Sequence, residues 1–75
     1  MSDTTTAIQV LDRAVQLLEA IATAGVPATL KIVSAETGLH PSTAHRILNA
    51  LAAHGLVARG DAGAWRLGRQ LRDLA

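Results

Sequence analysis

The sequence of 75 residues contains no cysteine, no phenylalanine and no tyrosine, and its single tryptophan is Trp65. Without cysteine, the chain cannot form a disulfide scaffold, a thiolate zinc site or a cysteine nucleophile. Aromatic residues make up 1% and hydrophobic residues 49% of the chain. A core must therefore be built from Ala, Leu, Ile and Val, a composition that favours packed helices.

Long hydrophobic runs are also missing. No uncharged stretch reaches the roughly 18 apolar residues that a membrane span needs. The N-terminal sequence MSDTTT lacks the basic and apolar regions of a secretion signal. We therefore expect a soluble chain, and its length is that of one small domain, which excludes a multidomain enzyme.

Charge is sparse, with a formal net charge of +1, but it is unevenly distributed. Residues 1–37 carry a net charge of −2 and residues 38–75 a net charge of +3. An anionic partner is therefore expected at the C-terminal half. The basic residues of that half are Arg46, Arg59, Arg66, Arg69 and Arg72.

Apolar residues from Ile8 to Ala24 recur at helical spacing and predict a first helix. They form two adjacent stripes, one of Val10, Ala14, Leu17 and Ile21, the other of Leu11, Val15, Leu18 and Ala22. Together the stripes are wider than the roughly 100° that a surface helix buries. Either both pack inside the domain, or the second stripe contacts another copy of the chain through Leu11, Val15 and Leu18. Residues 1–7 are expected to be a disordered tip.

Cap and turn residues predict where the next helices begin and end. Gly25 and Pro27 end the first helix, and Thr29 is the expected N-cap of a short second helix that closes at Thr37 and Gly38. Pro41 belongs to the first turn of a third helix, which starts between His40 and Ser42 and ends near His54.

The remaining residues predict a hairpin and the start of another helix. Residues 56–59 and 64–67 are strand-like and are separated by the turn sequence GDAG. After Gly68, the spacing of Leu71 and Leu74 indicates that a helix begins. The predicted order is one helix, then two helices joined by a tight turn, then a hairpin. This order predicts a mainly α fold, the winged helix-turn-helix.

The third helix determines the expected function. At 100° per residue, Ala44, Leu48 and Leu51 face inward together with Ile47. In a major groove, arginine can bond guanine, asparagine can bond adenine, and hydroxyls can bond bases or phosphates. Alone, such a face could be merely solvated, but the tight turn and the basic hairpin beside it favour DNA. The candidate base-reading residues on the outward face are Ser42, Thr43, His45, Arg46 and Asn49.

The segment TGLHPSTAHRILNAL, followed by HGLV and later by WRLG, resembles the N-terminal winged helix-turn-helix domain of IclR-family transcriptional regulators. The opening VLDRA is similar to the first helix of that family, and the resemblance covers about residues 8–75. It implies a bacterial, cytoplasmic regulator that binds double-stranded operator DNA as a homodimer. The third helix would lie in the major groove, and the hairpin, or wing, on the backbone or in the minor groove.

The resemblance also implies a domain order. Residues 8–68 would be the DNA-binding domain and residues 69–75 the start of a linker helix. A larger C-terminal domain that binds a small-molecule effector would be absent from this sequence, so the dimer would be weak. Residues expected at the DNA backbone or in the wing are Thr29, Lys31, Pro41, Arg59 and Arg66.

Two departures from the family pattern limit what can be carried over. The family often has proline followed by a basic residue before the Ser-Thr pair, whereas this chain has His40 and then Pro41. A phosphate contact from a lysine at that position is therefore not expected. Lys31 stands where an acidic residue is common, so its contact with a phosphate is possible but is not part of the motif.

Other chemistry is not expected, and neither a metal nor a cofactor is implied. His45 and His54 would point to opposite faces of one helix, which does not suit zinc. Ser42, His45 and Asp61 could not form a catalytic triad without an enclosed pocket. Trp65 fits a packing anchor better than a base-stacking platform. The alternative function is a winged-helix module for protein association, which the wide apolar arc of the first helix would also permit.

Overall fold

The computed structural model describes residues 2–75, with side chains from residue 5 onward, and Met1 lies outside the described residues. Within that range the chain forms the winged helix-turn-helix that the sequence predicts. The elements are α1 (Ser2–Thr23), α2 (Leu30–Thr37), α3 (Pro41–Ala53), β1 (Val57–Arg59), β2 (Trp65–Leu67) and α4 (Arg69–Leu74).

Helix α1 differs from its prediction at both ends. It begins at Ser2 rather than at Ile8, and residues 2–7, expected as a disordered tip, lie within it. Threonine costs less than about 0.7 kcal/mol per helical position, and each added residue contributes a backbone hydrogen bond. At the other end Gly25 does not take the left-handed conformation of a C′ glycine. The helix ends instead with the Thr23 hydroxyl donating to the Glu19 carbonyl at 2.8 Å.

Side-chain hydrogen bonds fix the turn between α2 and α3. Thr29 caps α2 as predicted, its hydroxyl accepting from the Ile32 N–H at 3.3 Å. Gly38 has a φ of +74°, and the buried Ser34 hydroxyl donates to the Leu39 carbonyl. The Thr37 hydroxyl accepts from the Leu39 N–H at 3.3 Å. These contacts set the direction in which α3 leaves the turn.

The core lies between the three long helices and the hairpin. Its largest fully buried side chains are Leu17, Val33, Leu48 and Val57. Trp65 is 3% exposed, so its predicted role as a packing anchor is confirmed. Val10, predicted to face inward, is 44% exposed because the N-terminal part of α1 extends beyond the core.

The hairpin is tied to the helices by backbone contacts. β1 and β2 are antiparallel, with Arg59 opposite Trp65 and Arg66 opposite Ala58. The Trp65 N–H donates to the Ala28 carbonyl at 2.8 Å, which attaches the wing to the segment before α2. No periodic pattern predicts this bridge, because Ala28 is a single residue outside any strand.

Helix α4 is joined to the end of α3 by two backbone hydrogen bonds. The Gly68 N–H donates to the Leu56 carbonyl at 2.7 Å, and the Gln70 N–H donates to the Gly55 carbonyl at 3.0 Å. A Cβ atom on Gly68 would lie 2.1 Å from the Gly55 carbonyl oxygen. A glycine at this position is therefore required by the close approach of two backbone segments.

Candidate nucleic-acid interface

Three of the five predicted base-reading residues share one exposed line along α3. Ser42, Arg46 and Asn49 are exposed and occupy successive helical turns, and we call them the reading strip. Thr43 and His45 are half-buried and lie on opposite flanks of that strip. The structure thus gives the five residues different access to a partner, with the reading strip outermost.

His40 occupies the start of α3 in a way that the sequence analysis did not foresee. Its Nδ1 atom accepts from the Ser42 N–H at 3.1 Å and lies 2.8 Å from the Ser42 hydroxyl. The His40 side chain thus satisfies one of the N–H groups that a helix leaves free in its first turn, so fewer remain for a phosphate.

Asn49 has a neighbour on the same side of α3. Its Nδ2 atom lies 3.3 Å from Nε2 and 3.4 Å from Nδ1 of His45, one turn earlier. These are long contacts at the limit of hydrogen bonding. They orient the amide loosely and leave it able to bond a base edge.

The two wing arginines project from opposite faces of the hairpin. Arg59 and Trp65 are cross-strand partners, and the Arg59 guanidinium carbon lies 5.0 Å from the Trp65 ring centroid. This is a cation–π distance. Arg66 pairs with the half-buried Ala58 on the other face, where it is exposed to solvent. The sequence predicts the same role for both arginines, whereas the register of the hairpin distinguishes them.

The remaining candidates for backbone contact lie near the two helix starts. Lys31 is exposed in the first turn of α2, and Pro41 is exposed as the first residue of α3. Thr29 is half-buried, and its hydroxyl already serves as the α2 cap. Of the three, Lys31 is the one that can offer a full positive charge to a partner.

The second apolar stripe of α1 is largely uncovered. Leu11 is 63% and Val15 45% exposed, and Ile8, which the sequence analysis did not include, is 55% exposed. Leu18 is half-buried and packs against the core. The exposed stripe therefore consists of Ile8, Leu11 and Val15, displaced towards the N-terminus from the predicted set.

Among the described residues, no three His, Asp or Glu side chains lie close enough together to hold a metal ion. None of the described helices combines the length and the hydropathy needed to cross a bilayer.

A tight α2–α3 turn, an exposed reading strip on α3 and a basic hairpin define the class of winged helix-turn-helix DNA-binding domains. The family profile of the IclR helix-turn-helix domain matches residues 10–61, more than half of the chain. The chain therefore belongs to the IclR family of DNA-binding transcription regulators. A comparison with curated proteins finds no match.

Solved structures agree with the family assignment. An IclR homologue from Microbacterium hydrocarbonoxydans, complexed with 4-hydroxybenzoate, is 33% identical with a TM-score of 0.78, over 88% of this chain and 28% of that one. The Agobacterium tumefaciens repressor BlcR has a TM-score of 0.82 at 24% identity, over 96% of this chain and 29% of its own. The latter likeness shows the fold alone.

The fold is also found in an enzyme. An O-methyltransferase from neocarzinostatin biosynthesis has a TM-score of 0.68 at 23% identity, over 87% of this chain and 21% of that chain. This likeness again shows only the fold. The chain spans less than a third of the length of each of these solved proteins.

Proposed function

We propose that this domain binds double-stranded operator DNA sequence-specifically, with α3 in the major groove and the wing on the backbone or in the minor groove. The observation that carries the proposal is the reading strip. Its arginine, asparagine and serine side chains are exposed on successive turns immediately after the α2–α3 turn. A helix held in this way presents its exposed face to base edges.

The side chains of the reading strip have distinct roles in this proposal. Arg46 bonds the O6 and N7 atoms of a guanine, and Asn49 bonds the N6 and N7 atoms of an adenine. Ser42 bonds a base or a phosphate, and the half-buried Thr43 and His45 add contacts from the flanks. The cations Lys31, Arg59 and Arg66 supply attraction to phosphates, while Thr29 and Pro41 support backbone contacts at the helix starts.

Assembly is part of the proposal. The exposed stripe of α1 forms a homodimer contact with a second copy, in which Leu11 and Val15 are central and Leu18 is marginal. A two-fold dimer recognises a pseudo-palindrome whose half-sites are separated by multiples of roughly 34 Å. The same stripe would permit protein association without DNA, but that alternative leaves the exposed reading strip unexplained.

The wider context is proposed from the longer relatives. The domain order has residues 8–68 binding DNA and residues 69–75 beginning a linker helix. A small-molecule effector would act through a part of the protein that this chain does not span, as the 4-hydroxybenzoate complex of one relative suggests. The domain would function by binding rather than catalysis, in the cytoplasm, where operator DNA is accessible.

Binding to a selected duplex tests the proposal. The chain would select its preferred duplex from a random-sequence pool, and fluorescence anisotropy would measure affinity for that duplex and for a shuffled duplex of equal composition. The expected result is tighter binding to the selected duplex and an affinity that falls linearly with the logarithm of salt concentration. Equal affinity for both duplexes, or no dependence on salt, would refute the proposal.

A further inference from the structure

An open groove of about 450 Å³ separates α1 from one flank of α3. Its position matters because that flank borders the reading strip: Arg46 belongs both to the strip and to the groove wall. The groove is thus continuous with the proposed DNA-binding face. The residues that line it are Val10, Arg13, Ala14, Thr43, Arg46, Ile47, Ala50, Leu51 and His54.

The lining of the groove is mostly apolar, and its charged members are two arginines. Arg13 enters it from α1 and Arg46 from α3, while none of its lining residues is acidic. Among the described residues, neither guanidinium has a hydrogen-bond partner. By contrast, Glu19 and Glu36 line a separate groove between α1 and α2. Two arginines at one groove repel each other unless an anion lies nearby, so this groove suits a phosphate group.

The position of the groove suits a nucleic-acid strand. Its wall on α3 includes Ala50, which is small and exposed. When a helix occupies a major groove, the sugar-phosphate backbones run along its two flanks. The α1-facing flank of α3 would therefore meet one of these backbones.

We infer that the α1–α3 groove holds one strand of the DNA backbone and that Arg13 binds a phosphate there. This inference rests on the proposed function and adds a contact from α1, an element otherwise assigned to the core and the dimer. A phosphate contact from Arg13 attracts DNA of any sequence, because phosphates carry no base identity. It leaves the Arg46 guanidinium available for a base edge.

Three single variants test Arg13, each measured on the selected and the shuffled duplex across a salt series. Arg13→Gln is expected to weaken both complexes severalfold and by the same factor, and to reduce the salt slope by about 0.9, the value for one phosphate contact. Arg13→Lys retains the charge and is expected to keep the slope. Arg72→Gln, which removes one exposed charge from α4 outside the groove, is the matched control and is expected to change the slope less.

The outcomes separate this inference from the proposed function. If the parent chain prefers the selected duplex but Arg13→Gln behaves like Arg72→Gln, the groove does not hold the backbone. The inference also fails if Arg13→Gln weakens only the selected complex, because Arg13 would then act on sequence preference. Absence of salt-dependent binding by the parent chain would overturn the proposed function itself. Circular dichroism of each variant verifies that the fold is retained.

Discussion

Both wing arginines are proposed to attract phosphates, but Arg59 is expected to have a second, structural role. Arg66 is exposed on the outer face of the hairpin, whereas the Arg59 guanidinium lies over the Trp65 ring. Arg66→Ala is expected to weaken binding to selected and shuffled duplexes equally and to lower the salt slope by about one. Anisotropy titrations across a salt series measure this change.

Arg59→Ala provides the comparison. It should destabilise the fold by about 0.5–1 kcal/mol through loss of the cation–π contact. It should also alter the emission of Trp65, the only tryptophan in the chain. Thermal unfolding and fluorescence measure both effects. If Arg59→Ala left stability and emission unchanged while Arg66→Ala left the salt slope unchanged, these roles for the two faces of the wing would be wrong.

At the scale of elements, the junction between the wing and α4 depends on Gly68. Because a Cβ atom there would meet the Gly55 carbonyl oxygen, Gly68→Ala must push two backbone segments apart. The expected cost is about 1–3 kcal/mol in the free energy of unfolding, as for overpacked sites. Chemical denaturation measures it.

Gly25→Ala is the matched control for this substitution. Nothing lies within 4 Å of a Cβ atom built on Gly25, and its φ is not positive. The free energy of unfolding of Gly25→Ala is therefore expected to stay within about 0.5 kcal/mol of that of the parent chain, as for a surface substitution. Equal stability of the Gly68 and Gly25 variants would contradict the tight junction.

The elements that local chemistry defines could be predicted from the sequence. Thr29 and Gly38 bound α2 because capping depends on the residue itself, and Pro41 similarly starts α3. The Ala28–Trp65 bridge and the exposure of Val10 could not be predicted, because both depend on how distant elements pack. Helical periodicity predicts which residues share a face of a helix. It does not predict how much of that face the neighbouring elements cover.

The candidate site also combines features that local sequence predicts with features that depend on tertiary packing. The 3.6-residue period predicted that Ser42, Arg46 and Asn49 would be exposed, and they are. The period could not indicate that Arg13 enters the same groove as Arg46, because the approach of α1 to α3 is a tertiary feature. Arg13 is the only basic residue of the predicted first helix, and this was the one available signal.

At the scale of the whole molecule, the exposed stripe of α1 should control assembly. Leu11→Glu places a carboxylate on this stripe and is expected to weaken self-association, because a buried unpaired charge is costly. Sedimentation velocity, with and without the selected duplex, measures the effect. Val26→Glu, a similar change at an exposed loop residue, is the control and should sediment like the parent chain. A parent chain that remained monomeric on its selected duplex would exclude the dimer.

The variant Arg46→Ala shows whether α3 distinguishes one DNA sequence from another. The measurement is the ratio of affinities for the selected and shuffled duplexes, determined at one salt concentration for the parent chain and the variant. We expect a loss of about 1–3 kcal/mol in binding to the selected duplex, with much less on the shuffled one, so that the ratio falls towards one. An unchanged ratio, with both affinities lowered equally, would contradict it and make Arg46 a backbone contact.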